Sequence, residues 1–240
     1  MERTKKVFTF MTFIICLIAL ALLLASLATH KWVISKPERI KFQNAPDIRD
    51  QVIDSDGRKF KGDIYFGLFH GTKILNYGLG DRTTALWIKE ELMRNPSLMQ
   101  FGLWLFTVLS IAIAILFGLV SLIFAIINTV ITPIEVITGL RGLFLWNGFA
   151  ALFCGAACLS WFVQYQNKLK YNVLTVEEIN DGWTSENRSR FGYSYFLVAL
   201  SMLLFLLNIL IIFMAIKRPI LRMKNRSSAD KNPEGVIMLY

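Results

Sequence analysis

The stretch Phe101–Ile127 reads FGLWLFTVLSIAIAILFGLVSLIFAII and contains no charged side chain. Its 27 residues exceed the about 20 apolar residues that a helix needs to cross the hydrocarbon core of a bilayer. Three further runs share the property: Val7–Ala28, Leu143–Tyr165 and Phe191–Ile216. All 26 Lys+Arg and all 17 Asp+Glu fall outside the four runs. The pattern predicts an all-α membrane protein, a four-transmembrane-helix bundle with a larger, partly β first extracellular loop.

The segments follow from the spans. Residues 1–6 form a cytoplasmic N-terminus, 7–28 the first span and 29–100 the first extracellular loop. Residues 101–127 form span two, 128–142 a cytoplasmic loop, 143–165 span three and 166–190 the second extracellular loop. Span four covers 191–216, and 217–240 is a basic cytoplasmic tail. An even span count puts both ends on one side. Lys217, Arg218, Arg222, Lys224, Arg226 and Lys231 beside span four make that side cytoplasmic. The first span is too long for the apolar core of an ordinary cleaved signal peptide. A multi-pass membrane location follows.

The net charge is +9. It is scattered rather than gathered on one face, which argues against nucleic acid. The basic tail suits anionic cytoplasmic lipid instead, at about 1 kcal/mol per basic residue near the surface.

Catalytic and cofactor chemistry is not legible. Only His30 and His70 supply imidazoles, and the cysteines Cys16, Cys154 and Cys158 all lie in spans. No metal-ligand spacing, nucleophile motif or phosphate loop occurs. No span carries the ionisable residues that proton relays and ion-coupled transporters need. We expect no enzyme activity, no metal and no cofactor.

Several residues stand out for packing. Ser110, Ala114 and Gly118 repeat every four residues in span two. Span three carries Gly148, Ala150, Ala151, Gly155, Ala156, Ala157 and Ser160. Small residues let helix backbones approach closely in lipid, and Asn147 and Asn208 are candidates for interhelical hydrogen bonds. Leu-rich span four should face lipid more than the others. Trp32, Trp104, Trp146, Trp161, Tyr165, Tyr193 and Tyr195 lie at span ends, where aromatic rings anchor at the headgroups.

In the first loop, Val52-Ile53, Asp54-Ser55-Asp56-Gly57 and Arg58–Leu68 read as strand, turn and strand. Gly67-Leu68-Phe69-His70-Gly71 and Tyr77-Gly78-Leu79-Gly80 read as tight turns. Thr83–Asn95 reads as a helix with Thr84 as its cap. Asn187-Arg188-Ser189 is a glycosylation acceptor close to span four; Asn225-Arg226-Ser227 also matches but falls on the cytoplasmic side. The ending Met238-Leu239-Tyr240 offers a carboxylate with apolar residues at the last and third-last positions, which suits a PDZ groove.

Phe60-Lys61-Gly62-Asp63-Ile64-Tyr65-Phe66-Gly67-Leu68-Phe69-His70-Gly71, continuing to Gly78-Leu79-Gly80, resembles the clarins, small four-span proteins distantly similar to the claudin-like group. Trp32, Gly142–Gly148, Tyr193–Asn208 and the Met238-Leu239-Tyr240 ending extend the resemblance along the chain. The chain departs from it where several clarins have a first-loop cysteine, here Tyr77, and an upstream sequon, here Asp54-Ser55. The resemblance implies a non-catalytic plasma-membrane organiser or adaptor in sensory cells, linked to actin-associated or synaptic scaffolds. The alternative is an auxiliary subunit that traffics or gates a channel or mechanotransduction complex.

Overall fold

The computed structural model describes residues 2–40, 60–130 and 139–229, with side chains described for 6–40, 60–130 and 139–217. Four long helices dominate: α1 (Glu2–Ala28), α3 (Phe101–Val130), α4 (Leu140–Gln164) and α6 (Tyr193–Ala229). Each contains a segment long and apolar enough to cross a membrane: Lys6–Ala28, Phe101–Val130, Leu140–Leu169 and Tyr193–Lys217. The 37 residues of α6 reach about 55 Å at 1.5 Å per residue. That exceeds the hydrocarbon core of about 30 Å, so α6 continues beyond it as the basic stretch from Lys217 onward.

The helices pack as a four-membered ring. Helix α1 touches α3 and α6, and α4 touches α3 and α6. In α3 the buried side chains Thr107, Ser110, Ile111, Ala114, Gly118, Ser121 and Ala125 form one stripe at three- and four-residue steps. In α4 the corresponding stripe is Asn147, Ala150, Ala151, Cys154, Ala157 and Trp161. Span four is buried to the same extent as spans one and two, at 33% of its most apolar window. Span three is more buried, at 39%, so the expectation that span four faces lipid more holds against span three and is corrected against span two. Its Val198, Ser201, Phe205 and Asn208 point inward despite the leucines around them.

Both connecting segments at one end of the bundle build a five-stranded antiparallel sheet in the order β5-β4-β3-β1-β7. The strands are β1 (Val33–Ser35), β3 (Gly62–Phe66), β4 (His70–Asn76), β5 (Asp81–Trp87) and β7 (Ser189–Phe191). Strand β1 is the seam: Val33 pairs with Phe66 on one side and with Phe191 on the other. A second ribbon joins β2 (Glu38–Arg39) to β6 (Trp183–Thr184). Two short helices complete this end, α2 (Ile88–Arg94) and α5 (Val176–Asn180).

Thr83–Asn95 is not one helix. Residues 83–87 pair with β4, from Thr83 opposite Ile74 to Trp87 opposite His70, and only Ile88–Arg94 is helical. Thr84 caps nothing; the N-cap is Trp87, without a side-chain hydrogen bond. Buried Leu86 and Ile88 stand two apart, a strand period, whereas Ile88 and Leu92 stand four apart, a helix period. The β-branched threonines and Trp87 favour the strand once β4 offers a partner.

The β4–β5 turn works as its glycines suggest. Gly78 and Gly80 have φ of +98° and +116°, values open to glycine at little cost. The Asn76 carboxamide accepts from Gly78 N at 2.8 Å and donates to Asp81 Oδ1 at 2.8 Å, closing the loop. Of the earlier strand–turn–strand reading, Gly62–Phe66 is a strand; Val52–Lys59 lie outside the described residues.

Candidate functional site

The loop motif Gly67–Gly71 and Trp32 lie where the sheet meets the bundle. Gly67 N donates to His70 O at 3.0 Å and closes the β3–β4 turn. A Cβ at Gly67 would stand 2.6 Å from His70 O and 2.8 Å from His30 Cα, so only glycine lets the turn lie on the exit of α1. Leu68 is fully buried, and its carbonyl accepts from Trp104 Nε1 of α3 at 2.8 Å. Phe69 exposes its ring while its carbonyl accepts from Ile88 N at 3.0 Å. His70 packs on His30 with ring centres 5.5 Å apart. A Cβ at Gly71 would stand 2.4 Å from Tyr65 O. The five residues thus clamp the sheet to spans one and two.

Trp32 is the second half of the junction. Its N donates to Phe66 O at 2.8 Å, its O accepts from Gly192 N at 2.9 Å, and its indole donates to Ser26 O at 2.9 Å. Its ring meets Trp161 edge-on at 5.1 Å and Tyr195 at 6.5 Å. Ser194 accepts from Ser26 Oγ at 2.8 Å through its carbonyl, and its hydroxyl lies 2.7 Å from Thr29 Oγ1. Spans one, three and four therefore converge on one buried polar and aromatic knot. Trp32 and Trp161 are fully buried, and Trp104 and Tyr165 are 7% and 8% exposed. Their reading as headgroup anchors is corrected: the rings hold the sheet on the bundle. Trp146 stacks on Phe117 at 5.9 Å, and Tyr193 stays half-exposed. The indole nitrogens of Trp161 and Trp183 and the amide nitrogen of Gln164 are buried without a hydrogen-bond partner among the described residues.

The second connecting segment is locked on by charge. Glu178 caps α5 reciprocally with Thr175, and its other oxygen pairs with Lys73 of β4. Both side chains are about one-tenth exposed. Arg188 pairs with Glu38, and Arg39 Nε donates to Asp181 O at 2.9 Å. The Thr175-x-x-Glu178 spacing is a capping-box signature that the sequence reading missed. Between the segments lies an open groove of about 770 Å³, lined by Trp87, Glu90, Glu91 and Arg94 on one wall and by Val176, Glu177 and Asp181 on the other. Tyr77, at its base, packs edge-on against Trp183 at 5.3 Å. Burial, reinforced by Glu178 and Asp181, raises its phenol pKa; Arg39 and Arg82 pull the other way.

A polar cluster crosses the bundle toward its other end. Asn208 Nδ2 donates to Asn147 Oδ1 at 3.1 Å, and Asn147 Nδ2 donates to Ser121 Oγ at 2.6 Å. This links spans two, three and four. Gly118 is pressed between Leu20 and Phe205; a Cβ there would meet them at 2.8 and 3.1 Å. Ser110 and Ala114 are buried on the same stripe, and Gly155 faces Met202. Asn187 sits elsewhere, exposed on a turn with φ of +55°. Met238, Leu239 and Tyr240 lie outside the described residues. No group of three metal-ligating side chains occurs among the described residues.

Four apolar helices with two connecting segments fused into one sheet define a multi-pass membrane protein of the tetraspan class. A family model described as Clarin-2-like matches residues 4–212. The chain belongs to the clarin family. It is 31% identical to mouse clarin-2 over 156 residues, 63% of this chain and 64% of that protein. It is 26% identical to human clarin-3 over 217 residues, 88% of each chain. The match thus spans less than two thirds of the length of the clarin-2 relative.

Proposed function

We propose that the chain is a non-catalytic organiser of the plasma membrane, with both termini cytoplasmic and the sheet outside. The observation that carries this is the fusion of both connecting segments into one platform, clamped to all four spans. Such a platform has little internal freedom and presents the Trp87–Asp181 groove as a fixed outer surface. At the other end, Met238-Leu239-Tyr240 recruits a PDZ-domain protein of an actin-associated or synaptic scaffold, in sensory cells. The basic tail holds to anionic lipid and keeps that motif near the membrane. Asn187, on its exposed turn, accepts a glycan; a mobility shift on glycosidase treatment, lost in Asn187→Gln, tests this.

The test of the organiser role compares complexes purified with the full chain and with a version ending at Val236. Loss of a PDZ protein with the last four residues supports the role. Retention of one channel complex by both versions, with nothing lost, replaces it with the role of an auxiliary channel subunit.

A further inference from the structure

The chain has two histidines, and the fold brings them together. His30 follows the end of α1, and His70 opens β4, forty positions later in the sequence. Their ring centres are 5.5 Å apart and the planes are inclined by 45°. Both are partly exposed, and neither imidazole hydrogen-bonds another described residue. Lys31, the adjacent cation, is held over the rings of Tyr65 and Tyr193, at 5.0 and 5.9 Å.

We propose that His30 and His70 together bind a late divalent transition ion, Zn²⁺ or Cu²⁺, at the junction between span one and the sheet. Imidazole nitrogen is a preferred donor for both ions. With a metal–nitrogen bond of about 2.0–2.1 Å, the ion stands about 3.2 Å from each ring centre. With one nitrogen of each ring turned to the ion, centres 5.5 Å apart subtend about 115–120° there, near the tetrahedral value that zinc adopts. No third Cys, Asp, Glu or His joins the pair among the described residues. Water or a donor from a partner therefore completes the coordination, and the site is open. Because Gly67 already lays the β3–β4 turn on His30, a bound ion cross-links two segments in contact.

The test uses the full chain, tag-free, in detergent. Zn²⁺ raises its melting temperature by a few degrees, and the rise is lost in both His30→Gln and His70→Gln. Cu²⁺ bound to the unmutated protein gives an electron paramagnetic resonance spectrum split by two imidazole nitrogens. This second reading does not depend on the folding of either variant. No thermal shift, an equal shift in both variants, or splitting by fewer than two imidazoles overturns the proposal.

Discussion

Trp104 Nε1 donates to the carbonyl of Leu68 at 2.8 Å, joining span two to the β3–β4 turn through one buried hydrogen bond. The indole of Trp161, in the neighbouring span, is fully buried, against 7% exposure for Trp104, and its nitrogen has no hydrogen-bond partner among the described residues. The two rings make a matched pair for weighing that bond. Trp104→Phe strands the Leu68 carbonyl, which costs about 1–3 kcal/mol beyond the loss of ring volume. Trp161→Phe loses similar volume but also removes an unsatisfied donor, so it should destabilise less. Thermal unfolding of both variants in one detergent gives the comparison; equal losses would contradict it.

Gly192 marks where span four meets the exit of span one. A Cβ there would stand 2.0 Å from Lys31 O, a backbone atom, whereas a Cβ at Gly148 meets nothing within 4 Å. Gly192→Ala should abolish folded protein. Gly148→Ala should be neutral or stabilising by up to about 1 kcal/mol, the helix-propensity difference. Size-exclusion profiles of the two variants report the contrast, and a normal Gly192→Ala profile would refute the close approach.

Asn147 and Asn208 should be energetically coupled. They bond directly across spans three and four at 3.1 Å. A double-mutant cycle on Asn147→Ala and Asn208→Ala should give a coupling of about 0.6–2 kcal/mol. Additive effects would mean that the bond carries no weight.

Tyr77 should ionise late. Its folded pKa is raised, first by burial and then by Glu178 and Asp181, above the ordinary value of about 10. The folded state therefore holds the phenolic proton more tightly than the unfolded chain. The resulting stability is present below about pH 10 and is lost as pH rises through the folded value. Alkaline unfolding of Tyr77→Phe should thus begin at higher pH than that of the unsubstituted protein; coincident curves would count against it.

The spans were readable because charge is excluded from them and hydropathy is local. The β4–β5 turn was readable because Gly78 and Gly80 need positive φ. Strand β7 was not: Ser189–Phe191 earns its conformation only by pairing with β1, more than 150 residues away in sequence. The same holds for the Lys73–Glu178 pair. Trp32 and Trp161 looked like membrane anchors because their position along the chain fits the interface. Position alone does not reveal that the sheet folds over them. Thr83–Trp87 shows the same effect, since a strand partner outweighed a weak local helix preference. Of the singled-out loop residues, Gly67–Gly71 are legible as a tight turn from their paired glycines, and the resemblance points to the same stretch; which backbone atoms Gly67 and Gly71 approach appears only in three dimensions.

The central claim is an outer platform over an inward basic tail, and sidedness in living cells tests it most directly. An epitope inserted after Leu79, 94% exposed at the tip of the β4–β5 turn, is compared with tags at each terminus. The account predicts that the Leu79 epitope is stained on intact cells and that both termini are stained only after permeabilisation. Staining of either terminus on intact cells, or a Leu79 epitope reached only after permeabilisation, would contradict it.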